Sequence, residues 1–149
     1  DFQENNTATI EISSTSLGDY EYSLDGVNYQ DSTIFTNLNA GEYTVYVQDK
    51  KGCGIVFETF YILDYPKYFT PNGDGYNDNW FIKNLDKRNL ENSIINVFDR
   101  YGKLLKQISG VSEGWNGTFN GNLLPGSDYW FEIKLTNGKS VKGHFTLKR

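Results

Sequence analysis

Six Asp-Gly or Asn-Gly pairs punctuate this chain: Asp25-Gly26, Asn72-Gly73, Asp74-Gly75, Asn116-Gly117, Asn120-Gly121 and Asn137-Gly138. Such pairs tolerate the positive φ that tight hairpin turns require. Recurring this often, they leave little room for helices, and the runs between them are short and alternate with period two. In Glu42–Gln48, Tyr43, Val45 and Val47 share one face; in Thr7–Ile12, Ala8, Ile10 and Ile12 do. Gly54–Leu63 reads as a longer strand, apolar on both faces. Further strands are expected at Asn79–Lys83, Ser93–Asp99, Lys103–Ile108, Asp128–Leu135 and Ser140–Leu147. No long window keeps a helical apolar period, and Leu85–Ser93 offers at most one short helical turn. Short strands at this turn spacing predict an all-β chain of two tandem sandwiches.

Composition narrows the function. Aromatic residues make up 16% of 149 residues, enough to bury a core and unlike a disordered chain. Cys53 is the one cysteine and His144 the one histidine. An intrachain disulfide, a zinc-binding cysteine cluster and multi-histidine metal sites are thereby excluded, and little is left for nucleophile–histidine catalysis. The net charge of -5 argues against nucleic-acid binding as a main role. No stretch approaches the ~20 apolar residues of a membrane helix. Asp1 opens the chain with no Met, basic n-region or apolar h-region, which reads as a fragment of a longer protein. Asp74, Asp78 and Asp99 stand in turns, and nothing places an acid and a base at catalytic separation, so no enzymatic activity is expected.

Charge divides the chain in two. Residues 1–65 carry 11 acidic and 2 basic side chains; residues 66–149 carry 8 acidic and 12 basic ones. Either the halves meet different partners, or two β-modules simply differ in surface charge. The seam is expected at Tyr65–Pro66, since proline cannot donate to a central ladder. In the first half, Tyr20 to Cys53 contains Tyr-Glu-Tyr-Ser-Leu-Asp-Gly, Phe-Thr-Asn-Leu, Ala-Gly-Glu-Tyr-Thr-Val and Asp-Lys-Lys-Gly-Cys in order. This string resembles the immunoglobulin-like repeats of large bacterial surface adhesins. At 65 residues the unit is short for such a domain, usually about 100 residues. A clipped repeat would leave an unpaired ladder near Thr7–Ser13. Cys53 reads either as the partner of a cysteine in a missing repeat or as a small turn-adjacent residue.

The second half holds the most informative text: Tyr68-Phe69-Thr70-Pro71-Asn72-Gly73-Asp74-Gly75-Tyr76-Asn77-Asp78-Asn79-Trp80. Three later pieces go with it: Ile95 to Leu105, Gly114-Trp115-Asn116-Gly117 leading on to Leu124–Phe131, and the closing Val141 to Arg149. Together they resemble the gliding-motility-associated C-terminal domain, the type B sorting signal of the type IX secretion system. Thr70, Pro71, Asn72, Gly73, Asp74, Gly75, Asn77 and Asp78 match its signature loop. The two resemblances imply two tandem small immunoglobulin-like β-sandwiches, an adhesin-type repeat over 1–65 and a sorting domain over 66–149. They also imply an address label read by the outer-membrane translocon, with a dedicated outer-membrane helper of the SprF or PorP type. The cargo would be a cell-surface adhesin with its own surface ligand, exported to the cell surface or beyond. For that reading the candidate recognition residues are basic: Arg100 and Lys103 at the central turn, and Lys139, Lys142, Lys148 and Arg149 around the last strand. The same charges would also serve simply to keep an edge strand soluble. Alternation sets Lys142 and Lys148 on one face, and the edge of the last strand is itself open to a partner.

Two further features stay open. With Thr70 as first position, Asn72, Asp74, the Tyr76 carbonyl and Asp78 occupy third, fifth, seventh and ninth places of a calcium loop, with Gly75 at the sharp turn. Thr70 in place of Asp and Phe81 in place of a bidentate Glu depart from that pattern; the other reading is a turn capped by its own side chains. Trp80, Trp115 and Trp130 are core anchors, the default, or sugar-stacking platforms; one of the neighbours Trp130 and Phe131 faces the core, and Trp115, between Gly114 and Asn116, is open to exposure. The alternative function is therefore a carbohydrate-binding or calcium-binding adhesion module on the cell surface.

Overall fold

A computed structural model describes residues 1–3, 5–13, 18–52, 54–110, 112–135 and 138–149. Cys53 and Asn137 lie outside the described residues. The chain is all-β and divides into two compact units, Asp1–Leu63 and Asp64–Arg149. Asp64 and Tyr65, ahead of Pro66, belong to the second unit for a physical reason. Asp64 bridges to Lys83, and the Tyr65 ring meets Phe131 edge-on at 4.6 Å.

The first unit contains β1 (Asn6–Thr9), β2 (Tyr20–Ser23), β3 (Ile34–Leu38), β4 (Gly41–Asp49) and β5 (Ile55–Ile62). They form two antiparallel sheets, β1-β3 and β2-β4-β5. Tyr22, Leu38, Val45, Ile62 and Leu63 are buried. Ile55, Val56 and Phe57 are exposed, because β5 pairs with β4 alone and its apolar far end has no cover among the described residues. Asp25 does not close a two-residue hairpin. Its carboxylate accepts the Val27 and Asn28 amides at 2.8 and 2.7 Å and shapes a longer loop.

The second unit is built on one five-stranded sheet. Its strands are β6 (Tyr68–Phe69), β7 (Ile94–Phe98), β8 (Leu104–Ser109), β11 (Ser127–Lys134) and β12 (Ser140–Leu147), in the order β6-β12-β11-β7-β8. A small ribbon, β9 (Thr118–Phe119) and β10 (Asn122–Leu123), is joined by Asn120-Gly121, both at positive φ. Here an Asn-Gly pair makes the two-residue hairpin that the sequence pattern predicts. Alternation is strict in β11: Tyr129, Phe131 and Ile133 are buried, and Trp130 and Lys134 are exposed.

One expectation changes here. Asn79–Lys83 is not a strand; it holds only the isolated bridges Trp80 to Trp115 and Lys83 to Asp64. The segment nonetheless covers the sheet, because Trp80, Ile82 and Leu85 are buried. As expected, Leu85–Ser93 contains one short helical turn, the 3-10 turn Asp86–Arg88. The inner face of the sheet is thus roofed largely by irregular chain. The core is an aromatic cluster centred on Phe145. Trp80 stacks on it at 3.9 Å and 13°, and Phe69, Trp115, Tyr129 and Phe131 surround it within 6.4 Å. The roof fits closely. A Cβ on Gly114, whose φ is +92, would come within 2.5 Å of the Trp80 carbonyl oxygen.

Candidate functional site

The signature loop leaves the sheet at Phe69. Its oxygens engage its own amides. Asp78 Oδ1 accepts from the Asn72 and Gly73 amides at 2.9 and 2.7 Å, and its Oδ2 from Gly75 at 2.8 Å. Asp74 Oδ1 accepts the Tyr76 amide at 2.8 Å, and Asn72 Oδ1 the Asp74 amide at 3.1 Å. The Asn72 side-chain amide donates to Asp74 Oδ2 at 2.8 Å. Gly73, Gly75 and Asn77 hold the positive φ that folds the chain back, and the Thr70 amide closes the loop on the Asn77 carbonyl at 2.8 Å. The amides of Gly73, Gly75 and Asn72 hold the Asp78 carboxyl below its ordinary value. The geometry is that of the self-capped turn, the other reading of the calcium-loop pattern: oxygens of Asn72, Asp74 and Asp78 accept from N–H donors. Among the described residues no group of three or more His, Cys, Asp and Glu is placed to hold a metal ion.

Strand register locates the basic residues. β12 ends where β11 begins, with Leu147 opposite Ser127, and β6 runs parallel to that end of β12. The turn from β7 to β8 lies at the same end, since Phe98 faces Trp130 early in β11. Arg100, Lys103, Lys148 and Arg149 therefore gather at one end of the sheet, and the signature loop departs from that end. Lys139 lies beyond the opposite end, in the connection between β11 and β12.

Each of the four has a partner. The Arg100 guanidinium donates to the Ser127 hydroxyl at 2.7 Å. Lys103 lies over the Phe119 ring at 4.6 Å, and Lys148 over Tyr68 at 3.9 Å. Arg149 donates from Nε to the Leu124 carbonyl at 2.8 Å and from Nη2 to Gly117 at 3.2 Å, tying the chain end to the β9–β10 region. The turn between β7 and β8 is fixed by Asp99, whose Oδ1 accepts the Tyr101 and Lys103 amides. Lys142 lies farther along β12 and pairs with Glu132 at 3.6 Å.

The last strand is not simply an edge. β12 is antiparallel to β11 along its whole length, and β6 covers Thr146 and Leu147 on its other side. Those contacts are set by the Thr146 amide on Lys67 and the Lys148 amide on Phe69, at 2.9 and 3.0 Å. Of the two readings of Trp115, the structure gives the core anchor. It is 1% exposed, held by its ring N–H on the Thr118 carbonyl, while Trp130 is 41% exposed. Sequence reasoning missed the row around Trp130. Strand parity was the available signal, since Tyr129 and Phe131 on one face force Trp130 onto the other.

The second unit is thus an all-β module closed by an aromatic core, with a self-capped Asn/Asp/Gly loop and a basic cluster at one end of its sheet. The family model of the CHU_C type IX secretion signal domain matches residues 63–147, more than half of the chain, and the chain belongs to that family. It thus carries a type IX secretion signal. No curated protein matches the chain significantly. Two solved structures resemble it. One is Tp47, the 47-kilodalton lipoprotein of Treponema pallidum, at 14% identity and TM-score 0.38, over 85% of this chain and 39% of that one. The other is the BSP domain of a biofilm-associated protein, at 13% identity and TM-score 0.36, over 97% of this chain and 27% of that one. The chain thus spans well under half the length of either.

Proposed function

We propose that the second unit is a type B address label, recognised as a folded module by the type IX outer-membrane translocon together with an SprF- or PorP-type outer-membrane protein. In this reading it has no catalytic role, and it delivers an adhesin, of which the first unit is an immunoglobulin-like repeat, to the cell surface. The observation that carries the reading is the family match over residues 63–147. The clustering of Arg100, Lys103, Lys148 and Arg149 beside the origin of the signature loop supports a recognition surface there. Charged patches of this kind steer and orient partners more than they add affinity. Among the described residues no helix is long and apolar enough to cross a membrane.

The test is export. The full chain, fused behind a signal peptide and a fluorescent reporter, is expressed in a gliding bacterium and in its translocon-null mutant. Reporter on or outside wild-type cells, and trapped in the periplasm of the mutant, is the expected result. Retention in both strains, even with the helper supplied, would refute the reading.

A further inference from the structure

We propose that the outer face of the five-stranded sheet is a binding site for a neutral carbohydrate chain, with Trp130 as its stacking platform. The inner face of this sheet and its roof bury Trp80 and Trp115 almost completely, at 0% and 1% exposure. Trp130, in the same small unit, is turned to solvent. A large exposed ring is the kind of surface that marks an interaction site, and its face is apolar while its neighbours are wet.

Register gives the site its shape. His144 and Phe98 are the lateral partners of Trp130, so three rings form a strip across β12, β11 and β7. The His144 and Trp130 ring centres are 6.5 Å apart. At a strand spacing of about 4.8 Å the strip is roughly 10 Å long. The next row holds Lys142, Glu132, Asn96 and Gln107, each opposite the next. On the other side stand Thr146 and Asp128, joined by a hydrogen bond of 2.6 Å. The apolar strip is thus one side chain wide, with polar rows on both flanks. A protein partner's apolar core would need a wider patch, whereas a sugar chain presents apolar C–H faces edged with hydroxyls. Phe98, Trp130, Glu132, Lys142 and His144 line an open depression of about 610 Å³ here, with Arg100 at its rim. That is within the range of small-ligand sites.

The polar groups select the ligand class. Lys142 and Glu132 neutralise each other at 3.6 Å, and Asp99 and Arg100 contribute one charge of each sign. These two pairs balance, so the depression has no strong charge of one sign with which to prefer an anionic or cationic polymer. It does carry donors and acceptors together. Gln107 donates to the Asn96 side-chain oxygen at 3.0 Å, so this row carries amide donors and acceptors side by side. A mixed row of carboxylate, ammonium and amides beside an aromatic strip matches vicinal hydroxyls on a stacked ring.

The test uses the full chain in native gels cast with xylan, hydroxyethylcellulose, galactomannan or soluble starch, and with alginate as an anionic control. Retardation by at least one neutral polymer is expected, with a change in tryptophan fluorescence. Trp130→Ala should weaken it about tenfold or more, as removal of a central aromatic anchor does. Asn96→Ala and Glu132→Gln should weaken it severalfold, all with unchanged melting. The inference is overturned by no retardation on any neutral polymer, by retardation on alginate alone, or by retardation that survives Trp130→Ala. Loss of export in Trp130→Ala without any polysaccharide binding would assign this face to a protein partner and also overturn it. Export and gel retardation are read separately, so failure of one does not imply failure of the other.

Discussion

Phe145 is where the second unit is most open to a decisive cut. It is fully buried and touches five other aromatic rings, with Trp80 stacked on it at 3.9 Å. Truncation to alanine removes a ring from the middle of the cluster, and the irregular roof above it is pinned by the Trp80–Trp115 bridge and tight glycines, so it has little freedom to collapse. A buried Phe→Ala change of this kind costs about 3–5 kcal/mol. The lost ring pairs put Phe145 toward the upper end, since each geometric pair adds about 0.5–1.5 kcal/mol beyond its buried area. A domain of this size has roughly 5–15 kcal/mol in all. The expected fall in Tm is therefore at least about 12 °C, from a shift of about 4–8 °C for each kcal/mol. All three tryptophans lie in the second unit, so tryptophan fluorescence reports its melting selectively. Phe145→Leu, which keeps most of the volume, should lose less than about half as much. A fall below about 5 °C for Phe145→Ala, or equal losses for alanine and leucine, would refute the claim that this ring holds the roof to the sheet.

Three other outcomes follow from the same contacts. Arg100→Glu with Lys103→Glu should sharply reduce surface reporter, while Lys139→Glu at the opposite end leaves export intact; equal export in both would remove the basic end from the recognition surface. Melts in EDTA and in millimolar calcium should coincide, because the Asp74 and Asp78 oxygens accept amide protons; a calcium-dependent rise in Tm would instead make the loop a cation site. The Gly73, Gly75 and Asn72 amides stabilise the ionised Asp78 carboxylate and hold its pKa low, so its contribution is complete above the ordinary value of 3.8 and is lost as pH falls below it. Asp78→Asn should accordingly flatten the acid limb of a pH–stability curve followed by tryptophan fluorescence, and an unchanged limb would contradict that.

What the sequence disclosed and what it hid divide along a physical line. Ser140–Leu147 is legible to the residue because alternation is local: each side chain's face follows from its neighbour's. The Asn-Gly pairs are legible in the same local sense, since Gly26, Gly73, Gly75, Gly117, Gly121 and Gly138 all take positive φ. Whether a positive φ ends in a hairpin depends on which strands meet across it, and that is not local. Asn120-Gly121 lies between two strands that pair directly, and so does the connection that holds Gly138, between β11 and β12, whereas the strands on either side of Asn72-Gly73 and Asp74-Gly75 do not meet across them. Asn79–Lys83 looks like a strand because Trp80 and Ile82 alternate, yet their burial comes from roofing the sheet rather than joining it.

The signature loop makes the same division visible in the site. Its Asn, Asp and Gly residues are what a turn needs to cap itself, and they do so with their own amides. The aromatic residues on either side of it are what attach the loop to the domain: Phe69 and Trp80 both enter the Phe145 cluster. A motif whose polar residues close on themselves and whose aromatic residues are buried offers few groups to a partner directly. It serves better to set a rigid end on the sheet, beside which Arg100, Lys103, Lys148 and Arg149 are held by hydrogen bonds and ring contacts. Recognition of the address label is then expected to depend on those four charges in a fixed arrangement. Substitutions inside the loop should act through the folding of that end and lower Tm and export together, whereas charge reversals at Arg100 and Lys103 lower export alone.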